Sequence, residues 1–293
     1  PPADVATSSA DMLFVDEAAA IPVRTLRELL PVAPSACFAT TVRGYEGSGR
    51  GFDIRFRESL EASHDVTACH LSEPIRYAPA DPIEVWLFHA LLLDSTPPPG
   101  DLFEGTAASD AAYERLDRDR LAANESLLRE LFGLLVRAHY RTQPDDLARL
   151  LDAPDVSVRA LTVDGHPVSA ALLARGGGLD AGARRVAYEG DRIGGNLIPD
   201  LLTSQLRDPE AAAPVGIRVV RIVTHHAVRS AGFGSRLLAE LDAEFGAEGS
   251  PNASPSVDYL GVSYGATPSL LRFWSRNGYR TVHLSTTRND ASG

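Results

Sequence analysis

Residues 217–240 read Ile-Arg-Val-Val-Arg-Ile-Val-Thr-His-His-Ala-Val-Arg-Ser-Ala-Gly-Phe-Gly-Ser-Arg-Leu-Leu-Ala-Glu, and no other stretch restricts the fold so tightly. The run Ile217 to Thr224 is rich in β-branched residues and has the length of a buried strand. Glycines follow at 232 and 234, and from Ser235 to Phe245 apolar residues recur at helical spacing. The order is strand, glycine loop, helix. A helix start leaves backbone N–H groups unpaired, and the helix dipole adds positive potential there, so the order suits a phosphate. Glycine removes the Cβ atoms that would hold a diphosphate away from those donors. Arg229 and Arg236, in or beside that loop, could add charge-assisted bonds. By itself the pattern also fits a glycine-rich turn in some other α/β protein.

The 293 residues, 44% hydrophobic and 23% charged, suit a folded chain of one or two domains. No apolar run is long enough to cross a bilayer and no basic-then-apolar leader opens the chain, so a cytoplasmic protein without membrane contact is expected. Cys37 and Cys69 are the only cysteines, and His64, Cys69 and His70 lack ligand spacing, so no metal is expected. The net charge of −11 argues against a basic footprint spread over the whole chain. All 28 basic residues are arginine, which removes any Walker A lysine. The chain opens on Pro1 rather than Met, and a fragment is expected.

Towards the N-terminus, Asp11 to Ala20 is an apolar run ending in Asp16 and Glu17. In a P-loop ATPase an Asp at that place holds Mg²⁺ and a Glu orients water. The same acids also fit an ordinary strand end that caps the next helix. A second apolar run, Ala36 to Val42, leads into Arg43 to Phe52 with glycines at 44, 47, 49 and 51. Such a loop can lie beside a nucleotide with Arg50 near its γ-phosphate, and Arg76 in Glu73-Pro-Ile-Arg-Tyr77 is a weaker candidate of that kind. Surface arginines on turns would look the same.

Pro-rich sequence from Ala80 to Ala111 marks a boundary around an apolar helical stretch, Trp86 to Leu93. Leu116 to Tyr140 has the spacing of one long helix, and Leu147 to Leu151 of a short one. Val156 to Val163 and Val168 to Leu173 are strands around the turn signal Asp164-Gly165. Val257 to Ser263 is a further strand, Ser269 to Asn277 a helix closed by Gly278, and Tyr279 to Leu284 a last strand.

The string Arg229-Ser-Ala-Gly-Phe-Gly234 matches R/Q-x-x-G-x-G/A and resembles the acetyl-CoA loop of the GNAT acetyltransferases. With DEAAAIP at 16–22, TTVRGYEGSGRGF at 40–52, EPIRY at 73–77 and HYRT at 139–142, the chain from about Asp11 to Gly293 resembles the bacterial tRNA(Met) cytidine acetyltransferases, which fuse a helicase-like motor to a GNAT domain. The resemblance implies an α/β chain with part of a RecA-like P-loop ATPase module over 1–100. A GNAT domain, a mixed sheet flanked by helices, would follow over 105–293. The Walker A half and the C-terminal tail would be missing.

The resemblance also implies a set of roles. Ile222, Val223 and Thr224 would position the acetyl carbonyl of acetyl-CoA, and Arg229, Ser230, Ala231, Gly232, Phe233, Gly234 and Ser235 would hold its diphosphate. Ser269 and Arg276 would contact the rest of CoA, and His139 and Tyr140 would be the catalytic pair near the acceptor amine. ATP and Mg²⁺ would bind only in the full-length parent, beside Asp16, Glu17, Arg50 and Arg76. The implied partner is elongator tRNA-Met, acetylated at its wobble cytidine to N(4)-acetylcytidine. Departures from the family pattern are Asp191 and Gly194 for arginines, Ile193 for Pro, Asp200 for Gln and Ser269 for Glu. A GNAT acting on a protein or small-molecule amine, and an inactive CoA-binding fragment, remain alternatives.

Overall fold

The apolar run that ends in Asp16 and Glu17 forms a short strand, β1 (Leu13–Val15), parallel to β2 (Ala36–Phe38), in the computed structural model, which describes residues 9–41, 56–137, 144–246 and 257–285. These strands lie in the smaller of two compact units, formed mainly by residues 1–95; the larger comprises 96–138 and 148–287. In the smaller unit, Val15, Ala18, Leu26, Leu29 and Phe56 make the core, with α1 (Val23–Leu29) supplying two of them and α2 (Arg57–Glu61) following Phe56. Helix α3 (Pro82–Ala90) starts through local chemistry: Pro82 opens it and the Asp81 carboxylate accepts from the amides of Ile83 and Glu84. None of its residues is buried.

In the larger unit β3 (Ala112–Leu116) precedes α4 (Arg118–Ala123) and α5 (Glu125–Arg137), and α6 (Pro144–Asp152) belongs to it from residue 148 on. Then come β4 (Val156–Val163), β5 (His166–Gly177), α7 (Ala181–Glu189), α8 (Leu197–Gln205), β6 (Val215–Thr224), α9 (Phe233–Gly246), β7 (Tyr259–Val262) and α10 (Pro268–Arg276). The five strands form one mixed sheet in the order β3-β4-β5-β6-β7, antiparallel except for the parallel pair β6–β7. Asp164 and Gly165 turn β4 into β5 with φ of 51° and 83°, the left-handed pair that a two-residue hairpin of matching twist requires. One face of the sheet packs Leu173, Ile217 and Val219 against Phe233, Leu237, Leu238 and Leu241 of α9. Each such buried side chain contributes about 1.5–3 kcal/mol of hydrophobic stabilisation. Helices α5 and α8 lie against β5 and contribute nothing to that cluster, which leaves them on the other face.

Two expectations are corrected. Leu116 belongs to β3, and the long helix is broken: Asn124, with φ −116° and ψ 86°, ends α4 while its side chain accepts from Leu127 N to start α5. Tyr279 to Leu284 forms no strand. Its alternating Val282 and Leu284 are 68% and 73% exposed, so no apposed layer rewards extension, whereas Tyr279 folds inward against Trp274.

Helix α9 is also pinned at its far end by a buried ion pair. Arg159 of β4 gives Glu244 two bonds, Nε to Oε2 at 2.8 Å and an outer nitrogen to Oε1 at 2.7 Å. Tyr113 donates to the same carboxylate and Arg115 approaches it at 3.2 Å, so three β3–β4 side chains converge on one helix residue. Burial alone would raise the Glu244 pKa, but the bonds from Arg159 and Tyr113 outweigh it and hold the carboxyl below its ordinary range. Burial and the bond to Glu244 push the Tyr113 phenol far up.

Candidate active site

The parallel pair β6–β7 comes apart where the sequence leaves the core. Its last pairing is Val219 with Val262, yet β6 runs on to Thr224, supported on its other side by β5 from Leu172↔Arg221 to Ser169↔Thr224. A bulge against Leu172 and Leu173 takes Val220 out of register at that same level. From Val220 onward no strand among the described residues pairs with the β7 side of β6, and Ile222, Val223 and Thr224 lie along this open edge. Backbone groups on such an edge can bind a ligand carbonyl or amide. Ser169, fully buried on β5, donates to Val223 O at 2.7 Å and lies 3.1 Å from Thr224 Oγ1, which fixes the end of the edge.

After Thr224 the chain turns on His225, which is fully buried. Its Nδ1 lies 3.3 Å from the Ala227 amide and its Nε2 3.0 Å from Pro98 O; since an amide can only donate and a carbonyl only accept, the ring is the neutral Nε2–H tautomer. His225 therefore anchors the loop rather than reacting. Ser230 and Gly232 take left-handed backbone with φ of 64° and 92°. Helix α9 then begins at Phe233, and its first i→i−4 bond is Arg236 N to Gly232 O. The amides of Phe233, Gly234 and Ser235 precede that bond and have no intrahelical acceptor. A Cβ on Gly234 would meet Thr224 Oγ1 and the Phe273 ring, each at 3.4 Å, so the helix start sits between the open edge of β6 and α10. This geometry fits a diphosphate lying on the helix start with its acyl arm running along the β6 edge.

The other expected residues divide. Arg229, Ser230, Ala231, Gly232 and Ser235 are exposed around that start, and Phe233 is buried beneath it. Arg236 is already committed, bonding Glu240 at 2.8 Å and the carbonyls of Ala108 and Ser109 at 3.3 and 3.4 Å. Ser269 lies in the first turn of α10, its Oγ 3.0 Å from the Thr267 cap. Arg276 is seven residues on, hence on the same helix face about 10 Å along the axis. Both are exposed. His139, Tyr140 and Arg50 lie outside the described residues. In the smaller unit Asp16 and Glu17 are exposed just beyond β1, with Glu17 N donating to Asp16 Oδ1 at 2.9 Å and Glu17 at φ 49°. That is the carboxyl end of parallel strands, where α/β sheets bind ligands. Arg76 is exposed in an irregular stretch.

The profile described as GNAT acetyltransferase 2 matches residues 130–252 and 246–293, more than half of the chain. The chain belongs to that family. Residues 1–94 match the helicase domain of RNA cytidine acetyltransferase NAT10/TcmA. Along almost its whole length the chain is similar to proteins called tRNA(Met) cytidine acetyltransferase TmcA. It is 59% identical to that of Haloferax volcanii over 98% of this chain and 37% of the relative. Identity is 57% with that of Haloarcula marismortui, over 97% of this chain and 36% of the relative. With that of Nitrosococcus halophilus it is 44%, over all of this chain and 39% of the relative. The chain thus spans little more than a third of the relatives it matches.

The mixed sheet flanked by helices that a GNAT domain implies is the one observed. The sequence reading missed Ser169 and His225. A serine inside the apolar run Val168 to Leu173 was the available signal for the first, and its meaning appears only when β5 pairs with Thr224. Tyr279, half-buried against Trp274, has its pKa pushed up to about 12, by burial first and then by Asp242. It stays protonated at neutral pH. Among the described residues no group of acidic, histidine and cysteine side chains could hold a metal ion, and no helix is long and apolar enough to cross a membrane.

Proposed function

We propose that this chain carries the acetyl-transfer site, and part of the ATPase module, of a cytoplasmic enzyme that acetylates the exocyclic amine of a tRNA cytidine. The wobble position of elongator tRNA-Met is the favoured target. The observation that carries the reading is the 59% identity over 98% of the chain to a tRNA(Met) cytidine acetyltransferase, spanning helicase-type and GNAT parts in one order. An acetyltransferase for free amines has no need of the helicase part. Residues 1–100 are assigned to the ATPase module and 105–293 to the GNAT domain.

When bound, acetyl-CoA supplies the thioester carbonyl that the amine attacks and the thiolate that leaves. The amides of Gly232 to Ser235 and the Arg229 side chain hold the diphosphate, and Ser269 and Arg276 line the path of the rest of the carrier. The edge carried by Ile222, Val223 and Thr224 offers backbone donors, from the alternate residues Ile222 and Thr224, to the acetyl carbonyl, where negative charge develops. A cytidine amine is conjugated and neutral near pH 7, so the site must orient a poor nucleophile and take up its proton rather than deprotonate an ammonium. His139 and Tyr140 are assigned to that task. A target base inside a stack must first be exposed, which gives an ATP-driven module a purpose. Asp16, Glu17, Arg50 and Arg76 are assigned to its nucleotide side, with Mg²⁺ held through Asp16.

The test is to incubate the full-length protein with tRNA and labelled acetyl-CoA and digest the product to nucleosides. Label on cytidine is expected. Label on lysines or small amines and none on cytidine would replace the reading with a GNAT for free amines.

A further inference from the structure

Before its terminal Thr224, strand β6 has only two polar side chains, Arg218 and Arg221, and its register explains where they go. Arg218 pairs with Ala174, while Arg221 pairs with Leu172, because the bulge at Val220 absorbs one residue between them. Without the bulge a separation of three would send the two side chains to opposite faces. With it both stand on the face away from α9, since Leu173, Ile217 and Val219 occupy the other. Helix α8 covers this face: a Cβ on Gly261, the β7 partner of Arg218, would meet Ile198 Cδ1 at 2.7 Å. Arg218 is half-buried there, and its Nε is enclosed with no hydrogen-bond partner among the described residues. Burial lowers its pKa, with no carboxylate among the described residues contributing. Elsewhere in this unit the buried Arg159 has a bidentate acid, as a desolvated guanidinium requires. Arg221 stands on the same face, engaged in contacts of its own.

From the helix start on one side of the sheet and the half-buried Arg218, its Nε without a partner among the described residues, on the other, we infer that Arg218 receives a backbone phosphate of the RNA acceptor. The inference rests on the cytidine acetyltransferase reading for its ligand. A guanidinium fork matches phosphate geometry and stays charged after partial burial. It also resolves a mismatch: a chain of net charge −11 meets a polyanion through a locally placed cation rather than a basic surface. Arg218 would be a positioning residue for the acceptor with no part in the chemical step.

The experiment uses the full-length protein and measures binding of unmodified tRNA across a salt series, with acetyl-CoA affinity measured separately by calorimetry. Arg218→Gln is expected to weaken tRNA binding about tenfold or more, to flatten the log–log salt slope by about one, and to leave acetyl-CoA affinity unchanged. Arg218→Lys, which keeps the charge without the fork, should keep the slope while weakening binding severalfold, and serves if the glutamine variant fails to fold. An unchanged tRNA affinity and slope in folded Arg218→Gln overturns the proposal. A loss of thermal stability with no change in slope does so too, by showing that Arg218 pairs with a carboxylate elsewhere in the full-length protein. Because binding is read without acetyl transfer, a wild-type protein that binds tRNA through Arg218 but labels no cytidine would refute the function and leave this site standing.

Discussion

Removing Glu244 should unfold the larger unit more readily than any loss of apolar surface at that position would explain. The carboxylate is the partner of Arg159, which is only 8% exposed, and it also takes bonds from Tyr113 and Arg115. Glu244→Ala strands a buried guanidinium, and breaking a buried pair from one side costs about 3–5 kcal/mol. For a unit of this size each kcal/mol lowers Tm by about 2–4 °C, so a fall of about 6–20 °C is expected. The two tryptophans make the assay selective: Trp86 is 64% exposed in the smaller unit and Trp274 is 4% exposed in the larger. A Trp86→Phe background lets Trp274 fluorescence follow the larger unit alone. The pH dependence carries a sign. Glu244 has a lower pKa folded than unfolded, so its contribution is complete above the ordinary carboxylate range and is lost as pH falls through its folded value. The wild type should therefore lose stability in acid more steeply than a Glu244→Leu, Arg159→Met double variant, which removes both charges and should be close to neutral at pH 7. A loss below about 1 kcal/mol in Glu244→Ala, or the same acid limb in both proteins, would refute the reasoning.

Two further outcomes follow from the loops. Gly232→Ala should destabilise the fold by about 1–2 kcal/mol because φ is 92° there, whereas Gly234→Ala, whose Cβ would meet its neighbours at 3.4 Å, should be neutral or gain up to about 1 kcal/mol of helix propensity; urea unfolding separates them. The chain by itself should release no phosphate from ATP, since it contains no lysine to contact the β- and γ-phosphates as a Walker A motif does; Mg²⁺-dependent release abolished by Asp16→Ala would contradict this.

What could be read from the chain divides along physical lines. The β6, loop and α9 segment was legible because strand composition, glycine placement and helical spacing agree within 30 residues and all three are local. β3 was not: Leu116 continues the spacing of the following helices, and the strand exists because Ala112 to Leu116 pair with Val158 to Thr162 and Tyr113 reaches Glu244, 131 residues away. The last expected strand failed for the converse reason, since alternation at Val282 and Leu284 meets no partner layer. Within the site, the glycines announced the helix start. The open edge depended on where β7 stops pairing and on a bulge at Val220, and neither leaves a mark in the sequence.

The central claim is that acetyl-CoA lies on the α9 start, and titration of acetyl-CoA into this chain tests it most directly. Gly232→Glu places a carboxylate where the diphosphate should sit, among anchoring bonds of about 1.5–3 kcal/mol each, with its backbone at a φ of 92° that strains any side chain. The variant is compared with Gly232→Ala, which carries the same strain without the charge. The account predicts measurable binding by the wild type, weaker binding by Gly232→Ala and none by a folded Gly232→Glu. Equal affinity in the wild type and Gly232→Glu would contradict it.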